Sequence, residues 1–399
     1  MASEVFSFRV PSSVIHACST LANSFSNTSS SGVGFTKVVH IKLNGKLLEC
    51  SARTNDGGAK YTFSDASSDQ QGGEVLIPSG DFVKVASVLP KGSEASVTVM
   101  DDATVKMESE DTSVSCLGIN LDNDYEKPEI KLPAEDKFRG IDNPEELKHA
   151  LDWVRNSRAT GEGSSSFAMS GVLMSLTSDG GWDMMCGSGR GIARFVSPGS
   201  ESGMSAEAVV LPVDHLSSSV SVAADALEAE VNLSRSGIII KSKLDDNTTV
   251  YTLTSAMNLP AKDFGQESLL KQAKRMLKDT SGEIMIPARR LTSVLSNAVK
   301  MSASSDISMS FEPAATTVSS VGGFGYSTDI TSSSNITPGD SVNINVDGQK
   351  LRGAIAKCDG NAIINVCAPI GGKIPVFISD TAIDENSLDS SAFVVEIGQ

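Results

Sequence analysis

Apolar residues recur at helical spacing in three segments that each open with a proline. The segments begin at Pro11, Pro144 and Pro287, and each places apolar side chains three or four residues apart. Proline suits the first turn of a helix because its missing N–H would have no partner there. The pattern therefore predicts three amphipathic helices, with apolar faces formed by Val14, Cys18, Leu21 and Phe25, by Leu147, Leu151 and Val154, and by Leu291, Leu295 and Ala298.

A second set of short helices is predicted at residues 80–91, directly after Pro212, and at residues 347–358. Each helix follows a short apolar strand candidate. Alternating apolar and polar residues, bounded by Asp, Gly and Asn, come after each helix and predict antiparallel meanders. Both sets of helices recur about every 130–145 residues, and such a period is typical of a repeated structural unit.

Two near-identical joints, KLPAEDKF at 131–138 and NLPAKDFG at 258–265, fall between these units. The sequence therefore predicts an α+β chain of three repeated domains, each with two helices on antiparallel β-sheets. The alternative is three unrelated α+β domains. The predicted domains are 1–135, 138–264 and 280–399, with a linker at 265–279.

Composition narrows the class of protein. The chain has 399 residues and a formal net charge of −16, which argues against a protein that coats nucleic acid with its whole surface. No apolar run approaches the roughly 20 residues that a membrane span needs, and no secretion signal is visible. The six cysteines form no CxxC pair, so we expect reduced thiols, a cytoplasmic location, and neither a metal nor a cofactor.

Three further segments carry a family resemblance. They are MSGVLMSLTSDGGWDMMCGSGRGIARFV from Met169, TSVLSN at 292–297 and the C-terminal SAFVVEIGQ. Together with the Leu-Pro-Ala joints, they resemble the bacterial DNA polymerase III β sliding clamp family over nearly the whole chain. The resemblance implies that three clamp domains form half of a ring, which two identical chains close head to tail around duplex DNA. It also implies a non-catalytic processivity factor whose partners are a replicative DNA polymerase and a clamp loader.

Two stretches depart from the family pattern. The family's Thr-Asp-Gly-His-Arg-Leu-Ala is replaced by the residues from Gly187 to Ala193, and its Met-Pro-Met-Arg-Leu ending by Glu396 to Gln399. Both stretches shape the cleft in which the family binds partner peptides. The resemblance therefore leaves open which peptide sequence this chain would bind.

Basic residues on the predicted helices are the candidate DNA contacts. Several lie seven residues apart, which is two helical turns and places each pair on one face. A basic lining inside an acidic exterior would attract DNA only to the hole, through sequence-independent phosphate contacts. The alternative is that they are ordinary solvated helix residues. The candidates are Lys84, Lys91, Lys148, Arg155, Arg158, Arg289, Arg290, Lys300, Lys350, Arg352 and Lys357.

The resemblance also nominates residues for two protein interfaces, although each could instead belong to the hydrophobic core. It implies a subunit interface at Val294 and Leu295. It implies an apolar partner-peptide cleft formed by Met169, Gly191, Ile192, Leu259, Pro260, Val394, Val395 and Glu396.

The segment 267–279 has no counterpart in the family pattern. It places Lys271, Lys274, Arg275 and Lys278 on one face and Leu270, Ala273, Met276 and Leu277 on the other. We interpret it as an amphipathic linker helix packed on the rim of the ring. A contact with DNA or a partner is the alternative.

Two competing classes of protein are weaker fits. An all-β structural or virion assembly protein would suit the Ser/Gly/Val-rich strands, but it gives no reason for basic helices at a fixed period. An enzyme is disfavoured because the four histidines are far apart in sequence and no catalytic or metal-binding spacing accompanies them.

Overall fold

The computed structural model describes residues 3–26, 34–68, 72–119, 126–158, 170–188, 191–197, 199, 208–258, 260–337 and 340–398. Within them, one succession of elements occurs three times: a strand, a helix, four strands, a second helix and three strands. The third repeat adds one two-residue strand. The repeated α+β architecture predicted from the sequence is therefore confirmed.

The elements of each repeat follow in chain order. The first repeat contains β1 (Glu4–Pro11), α1 (Ser12–Phe25), β2 (Val38–Asn44), β3 (Leu47–Arg53), β4 (Gly57–Phe63), β5 (Gly72–Pro78), α2 (Ser79–Ser87), β6 (Glu94–Met100), β7 (Thr104–Ser109) and β8 (Thr112–Leu117). The second contains β9 (Arg139–Gly140), α3 (Pro144–Val154), β10 (Gly171–Leu176), β11 (Trp182–Ser188), β12 (Gly191–Val196), β13 (Val209–Pro212), α4 (Val213–Ala224), β14 (Glu228–Ser234), β15 (Gly237–Lys243) and β16 (Thr248–Ser255). The linker helix α5 (Gln266–Lys278) precedes the third repeat, which contains β17 (Thr280–Pro287), α6 (Ala288–Met301), β18 (Asp306–Phe311), β19 (Ala315–Ser320), β20 (Ser327–Thr331), β21 (Ser333–Ser334), β22 (Val342–Asp347), α7 (Gly348–Ile355), β23 (Asn361–Cys367), β24 (Ile374–Ser379) and β25 (Phe393–Gly398).

Strand pairing within a repeat follows one rule. The opening strand pairs antiparallel with the strand after the second helix, as in β1 with β6, β9 with β14 and β17 with β23. The first strand of each four-strand group also pairs with the last, as in β2 with β5, β10 with β13 and β18 with β22. The three repeats therefore share topology as well as element order.

Strands from neighbouring repeats join the sheets. β4 of the first repeat pairs with β16 of the second, and β12 of the second pairs with β25 of the third. The first join gives an eight-stranded sheet of order β5-β2-β3-β4-β16-β15-β14-β9. The second gives a nine-stranded sheet of order β13-β10-β11-β12-β25-β24-β23-β17-β21. Two four-stranded sheets, β1-β6-β7-β8 and β20-β19-β18-β22, remain outside these joins.

The chain forms two compact units, and each unit contains one of the two joined sheets. The first comprises Met1–Glu145 and Asp214–Ala256, and the second comprises Glu146–Val213 and Met257–Gln399. The middle repeat thus contributes β14–β16 to a sheet of the first unit and β10–β13 to a sheet of the second.

The apolar helix faces predicted from the sequence are buried. Val14, Cys18 and Phe25 on α1 lie in the core of the first unit. Leu291 and Leu295 on α6 are fully buried in the second unit. Burial of these faces holds the helices on the sheets, because transfer of apolar surface out of water stabilises the fold by about 25 cal/mol per Å².

Three predicted helices are shorter than their sequence pattern indicates. α2 ends at Ser87, and the residue before Pro90 is disfavoured in the helical conformation, which prevents extension to Lys91. α3 ends at Val154 and continues as a 3-10 turn over Arg155–Ser157. α7 ends at Ile355, before a turn in which Gly360 has a φ of 83°. Residues beyond these ends do not share a helical face with those before them.

No described helix is both long enough and apolar enough to span a membrane. All six cysteines are free thiols.

Replacement of a core residue on α6 should destabilise the protein strongly. Leu295→Ala removes a fully buried side chain, and we expect the free energy of unfolding to fall by about 3 kcal/mol. Leu227→Ala is the control, because Leu227 is 72% exposed and its truncation should change stability little. Urea denaturation measures both, and equal effects would contradict the core assignment.

Candidate functional site

The exposed face of α6 carries the clearest basic surface of the second unit. Arg289, Arg290 and Lys300 are exposed, and none forms an ion pair with a described residue. The helix contains no acidic residue. Its opposite face is buried, so the protein core fixes the direction in which the three cations project. The structure places these three predicted DNA contacts on an exposed basic surface, and their contact with DNA stays a prediction.

Helix α7 packs beside α6 and extends this surface at one point. Nη1 of Arg352 donates a hydrogen bond to Oγ of Ser296 on α6, at 3.2 Å. Arg352 is exposed, so its charge remains available to a ligand. We call Arg289, Arg290, Lys300 and Arg352 the α6–α7 basic surface.

Lys357 is a poor candidate for an exposed cation. It lies beyond the end of α7, and its Nζ is buried without a hydrogen-bond partner among the described residues. Desolvation lowers the pKa of Lys357 to about 8, against the opposing attraction of Asp152. The pattern that paired Lys357 with Lys350 across two helical turns was wrong, because the helix ends first.

The other predicted DNA contacts are dispersed. Lys84 is exposed on α2, and its Nζ is 3.7 Å from Oδ1 of Asp81. Lys91 lies in the turn after α2, so the prediction that it shares a helical face with Lys84 is wrong. Lys148 is exposed on α3. Arg155 lies in the 3-10 turn, and its Nη2 is 2.9 Å from Oδ1 of Asp152. The remaining candidate, Arg158, is half-buried after that turn.

Six of the eight predicted cleft residues lie in the part of the chain that the structure describes. Met169 and Leu259 lie outside the described residues. Pro260 is exposed before a 3-10 turn over Ala261–Phe264. The others come together where β12 pairs with β25, because Gly191 is opposite Glu396, Ile192 is opposite Val395, and Ala193 is opposite Val394. Ile192, Val394 and Val395 are all buried within a single chain.

Helix α5 covers one face of this join. Leu269 and Leu270 pack against the cluster that contains Ile192, while Ala273, Met276 and Leu277 lie in the cluster that contains Val395. A Cβ atom on Gly187 would meet Cδ1 of Leu269 at 3.5 Å, so the helix approaches the sheet closely. The amphipathic stripe in the sequence gave the correct helix, but it did not indicate that this sheet face was the surface buried.

Charged contacts also hold α5 in place. Lys274 pairs with Asp389 at 2.6 Å and Lys278 pairs with Glu385 at 3.2 Å. Two of the four basic residues on the polar face of this helix thus contact the acidic segment at 384–389. Lys271 and Arg275 remain exposed.

The opposite side of the join opens into a polar groove of about 330 Å³ in the second unit. Strands β18, β22 and β25 and the start of α7 form most of its lining. We call this the Glu396 groove, and its lining is Asp306, Val321, Asn345, Val346, Asp347, Lys350, Lys373, Glu396 and Ile397.

Glu396 is the unusual group in this groove. It is only 6% exposed, and no hydrogen bond or ion pair joins its carboxylate to a described residue. Desolvation raises the pKa of Glu396 to about 7, while Lys350 opposes the shift and Asp347 adds to it. The sequence resemblance placed Glu396 in an apolar cleft, and the structure instead gives it a polar surrounding.

The predicted subunit-interface residues do not reach the surface. Val294 and Leu295 are 3% and 0% exposed in one chain, so they belong to its core. Exposed apolar side chains lie elsewhere on the same unit. Phe324, in the turn before β20, is 77% exposed, and its N–H donates to the carbonyl oxygen of Met301 at 2.9 Å.

Metal chemistry has no obvious site in the part of the chain that the structure describes, because no three His, Cys, Asp or Glu side chains cluster there as a metal would need.

Substitution of Glu396 should change how stability depends on pH. Its pKa is raised from 4.5 to about 7 on folding, so the folded state becomes less stable as pH rises between these values. Glu396→Gln removes this penalty. The variant should be more stable than the parent by about 2–3 kcal/mol at pH 8 and similar at pH 5, measured by urea denaturation. Glu267→Gln, at an exposed position, is the control. If the gain in stability of Glu396→Gln over the parent is no larger at pH 8 than at pH 5, burial does not raise the pKa of Glu396.

Comparison with known proteins identifies the fold. No protein-family model and no curated protein matches the sequence. Among solved structures, the C. crescentus β sliding clamp and the DNA polymerase III β subunit of Thermotoga maritima each match with a TM-score of 0.76, 12% identity and 99% coverage of both chains. The β subunit from the DNA polymerase of Streptococcus pyogenes matches with a TM-score of 0.75 and 15% identity, over 98% of this chain and 99% of that one. The chain therefore has the fold of the DNA polymerase III β sliding clamps, as the sequence resemblance implied.

Proposed function

We propose that this chain is a DNA sliding clamp, a non-catalytic processivity factor that encircles duplex DNA and tethers a replicative polymerase. The observation that carries the proposal is the rule by which its repeats are joined. Each join pairs the third strand of a four-strand group with the last strand of a three-strand group, as in β4 with β16 and β12 with β25. The corresponding strands of the two remaining groups lie at sheet edges: β20 is the third strand of its four-strand group, and β8 is the last strand of its three-strand group.

The same rule supports closure by a second copy of the chain. If β20 of one chain pairs with β8 of another, the third repeat joins the first repeat of its partner. Two such contacts close a head-to-tail ring of six repeats, and closure removes the exposed edges that would otherwise invite uncontrolled association. The predicted interface at Val294 and Leu295 is replaced in this proposal by the two edge strands.

Exposed apolar residues beside these edges support the pairing. Val88 and Leu117 are exposed near β8, while Met301 and Phe324 are exposed near β20. Apolar patches of this kind on a soluble protein commonly mark association surfaces. Each patch would be buried when the two edges meet.

The charge distribution supports passage of DNA. The α6–α7 basic surface consists of arginine and lysine side chains that can contact phosphates without reading bases, as sliding requires. The net charge of −16 disfavours binding of DNA to the rest of the surface. We infer that these helices face the DNA.

Partner proteins complete the proposed role. A clamp must hold a polymerase, and a closed ring needs a clamp loader, a separate ATPase, to open it. No hydrolysis is expected of this chain. We expect the partner site beside β25, where the Glu396 groove is the open feature.

An acidic residue at the apolar patch should break the ring. Phe324→Asp would bury a charge in the proposed interface, and we expect the dimer dissociation constant to rise at least tenfold. Sedimentation velocity between 0.1 and 50 µM measures the change. Ile370→Asp is the matched control, because Ile370 is exposed in the turn between β23 and β24 and belongs to neither edge strand. If Phe324→Asp leaves the oligomeric state unchanged, the proposed closure is wrong.

Charge reversal on α6 should weaken DNA binding. We expect Arg289→Glu, Arg290→Glu and Lys300→Glu together to reduce affinity for a linear duplex at least tenfold at low salt and to flatten its salt dependence. Fluorescence anisotropy across a salt series provides the measurement. The matched control reverses Lys271 and Arg275 on α5 and should bind like the parent. Unchanged binding by the triple variant would contradict the proposed lining, and a loss in the control would assign α5 a DNA contact.

A further inference from the structure

The Glu396 groove contains a buried carboxylate without a protein partner. Glu396 is only 6% exposed, and it belongs to the lining of the groove. A buried charged group is ordinarily paired or protonated, because removal from water penalises the ionised form. No described side chain lies within ion-pair distance of this carboxylate.

The carboxylate of Glu396 lies beside the backbone of Gly191 on β12, because a Cβ atom on Gly191 would be 3.4 Å from Oε2 of Glu396. Gly191 lies opposite Glu396 in the β12–β25 pairing, and a Cβ atom there would lie 2.6 Å from the carbonyl oxygen of Val395. Real Cβ atoms do not approach a carbonyl oxygen so closely, so this position requires glycine. Strand β12 therefore cannot supply a side chain at Gly191 that would cover or pair with the carboxylate.

The other acids of the groove already have partners. Oδ1 of Asp347 caps α7 by accepting hydrogen bonds from the backbone N–H groups of Gln349 and Lys350, at 3.0 and 3.2 Å. Asp306 accepts a hydrogen bond from Oγ of Ser304 at 3.1 Å. Glu396 is thus the groove's only acid without a partner among the described residues.

The remaining groove lining fits a long side chain with a charged end. Val321 and Val346 offer apolar contact to a methylene stem, while Asn345 offers polar atoms beside them. Lys350 and Lys373 also line the groove and would repel a cation, but neither pairs with Glu396. With Asp306, Asp347 and Glu396 against two lysines, the groove has a formal charge of −1 when Glu396 is ionised.

The opposite face of the same join offers no comparable opening. Leu269 and Leu270 of α5 pack there against the cluster of Ile192, so an apolar peptide would have to displace the helix. The groove on the other side needs no such displacement. Partner recognition at this join would therefore depend on charge more than on apolar contact.

We propose that the Glu396 groove binds a lysine or arginine side chain carried by an extended segment of a partner protein. The inference rests on the proposed function, because it specifies the partner chemistry of the clamp's peptide site. The guest's stem lies along Val321 and Val346, and its cation pairs with the Glu396 carboxylate. Partners that lack a basic residue at this position are excluded, since they would leave the carboxylate buried and unpaired.

Binding should be coupled to proton release. Glu396 has a pKa of about 7 in the free protein, so below pH 7 a cationic guest must first displace a proton. Asp306, Asp347, Lys350 and Lys373 are the other charged groups that line the same space. The affinity should therefore be about tenfold weaker at pH 6 than at pH 8.

The experiment titrates the intact protein with three blocked tripeptides, acetyl-Gly-X-Gly-amide, in which X is arginine, neutral citrulline or glutamate. Backbone NMR shifts of Glu396, Ile397 and Lys350 report binding and give the dissociation constants. We expect the arginine peptide to bind at least tenfold more tightly than the citrulline peptide at pH 8. Glu396→Gln should abolish that preference, whereas the control Glu267→Gln, at an exposed position on α5 outside the groove, should retain it.

Three results would overturn the proposal. They are equal binding of the arginine and citrulline peptides, an arginine preference that survives Glu396→Gln, and preferential binding of the glutamate peptide, which would make Lys350 and Lys373 the recognition groups. Duplex binding and ring formation by the parent protein separate this failure from that of the proposed function. If the parent protein forms rings and binds DNA but shows no preference for the arginine peptide, only the partner chemistry is wrong.

Discussion

Backbone hydrogen bonding between strands of different repeats underlies the whole architecture. A four-strand group has an outer edge of unpaired N–H and C=O groups, and those groups need partners when apolar surface is buried around them. Strand β4 finds its partner in β16, and β12 finds its partner in β25. These two joins place residues from distant parts of the sequence side by side. The Glu396 groove and the surface under α5 lie on either side of the second join.

The distribution of charge follows from how the helices are buried. Apolar faces of α6 and α7 pack inward, so their polar faces project outward with arginine and lysine side chains. Basic residues on α5 have a different environment, since Lys274 and Lys278 pair with the acidic segment at 384–389. The same residue types thus serve two purposes. On α6 they remain free for a ligand, and on α5 they help fix a helix to a sheet.

The amino-acid sequence predicts the local elements well and the joins poorly. Helical spacing around Pro11 and Pro287 located α1 and α6 because an amphipathic stripe depends only on neighbouring residues. Helix ends are harder to predict from the sequence. The helical pattern extends to Lys91, whereas α2 stops at Ser87, before Pro90. Pairing of β12 with β25 joins residues about two hundred positions apart, and alternation within each strand does not specify its partner. The burial of Glu396 depends on that pairing, so the sequence could place it near a cleft but not give its environment.

The proposed closure of two chains into a ring through their free sheet edges can be tested by negative-stain electron microscopy of the purified protein at neutral pH. We expect rings built from two chains, with a central hole wide enough for duplex DNA. Solid particles, filaments or shells without such a hole would contradict it.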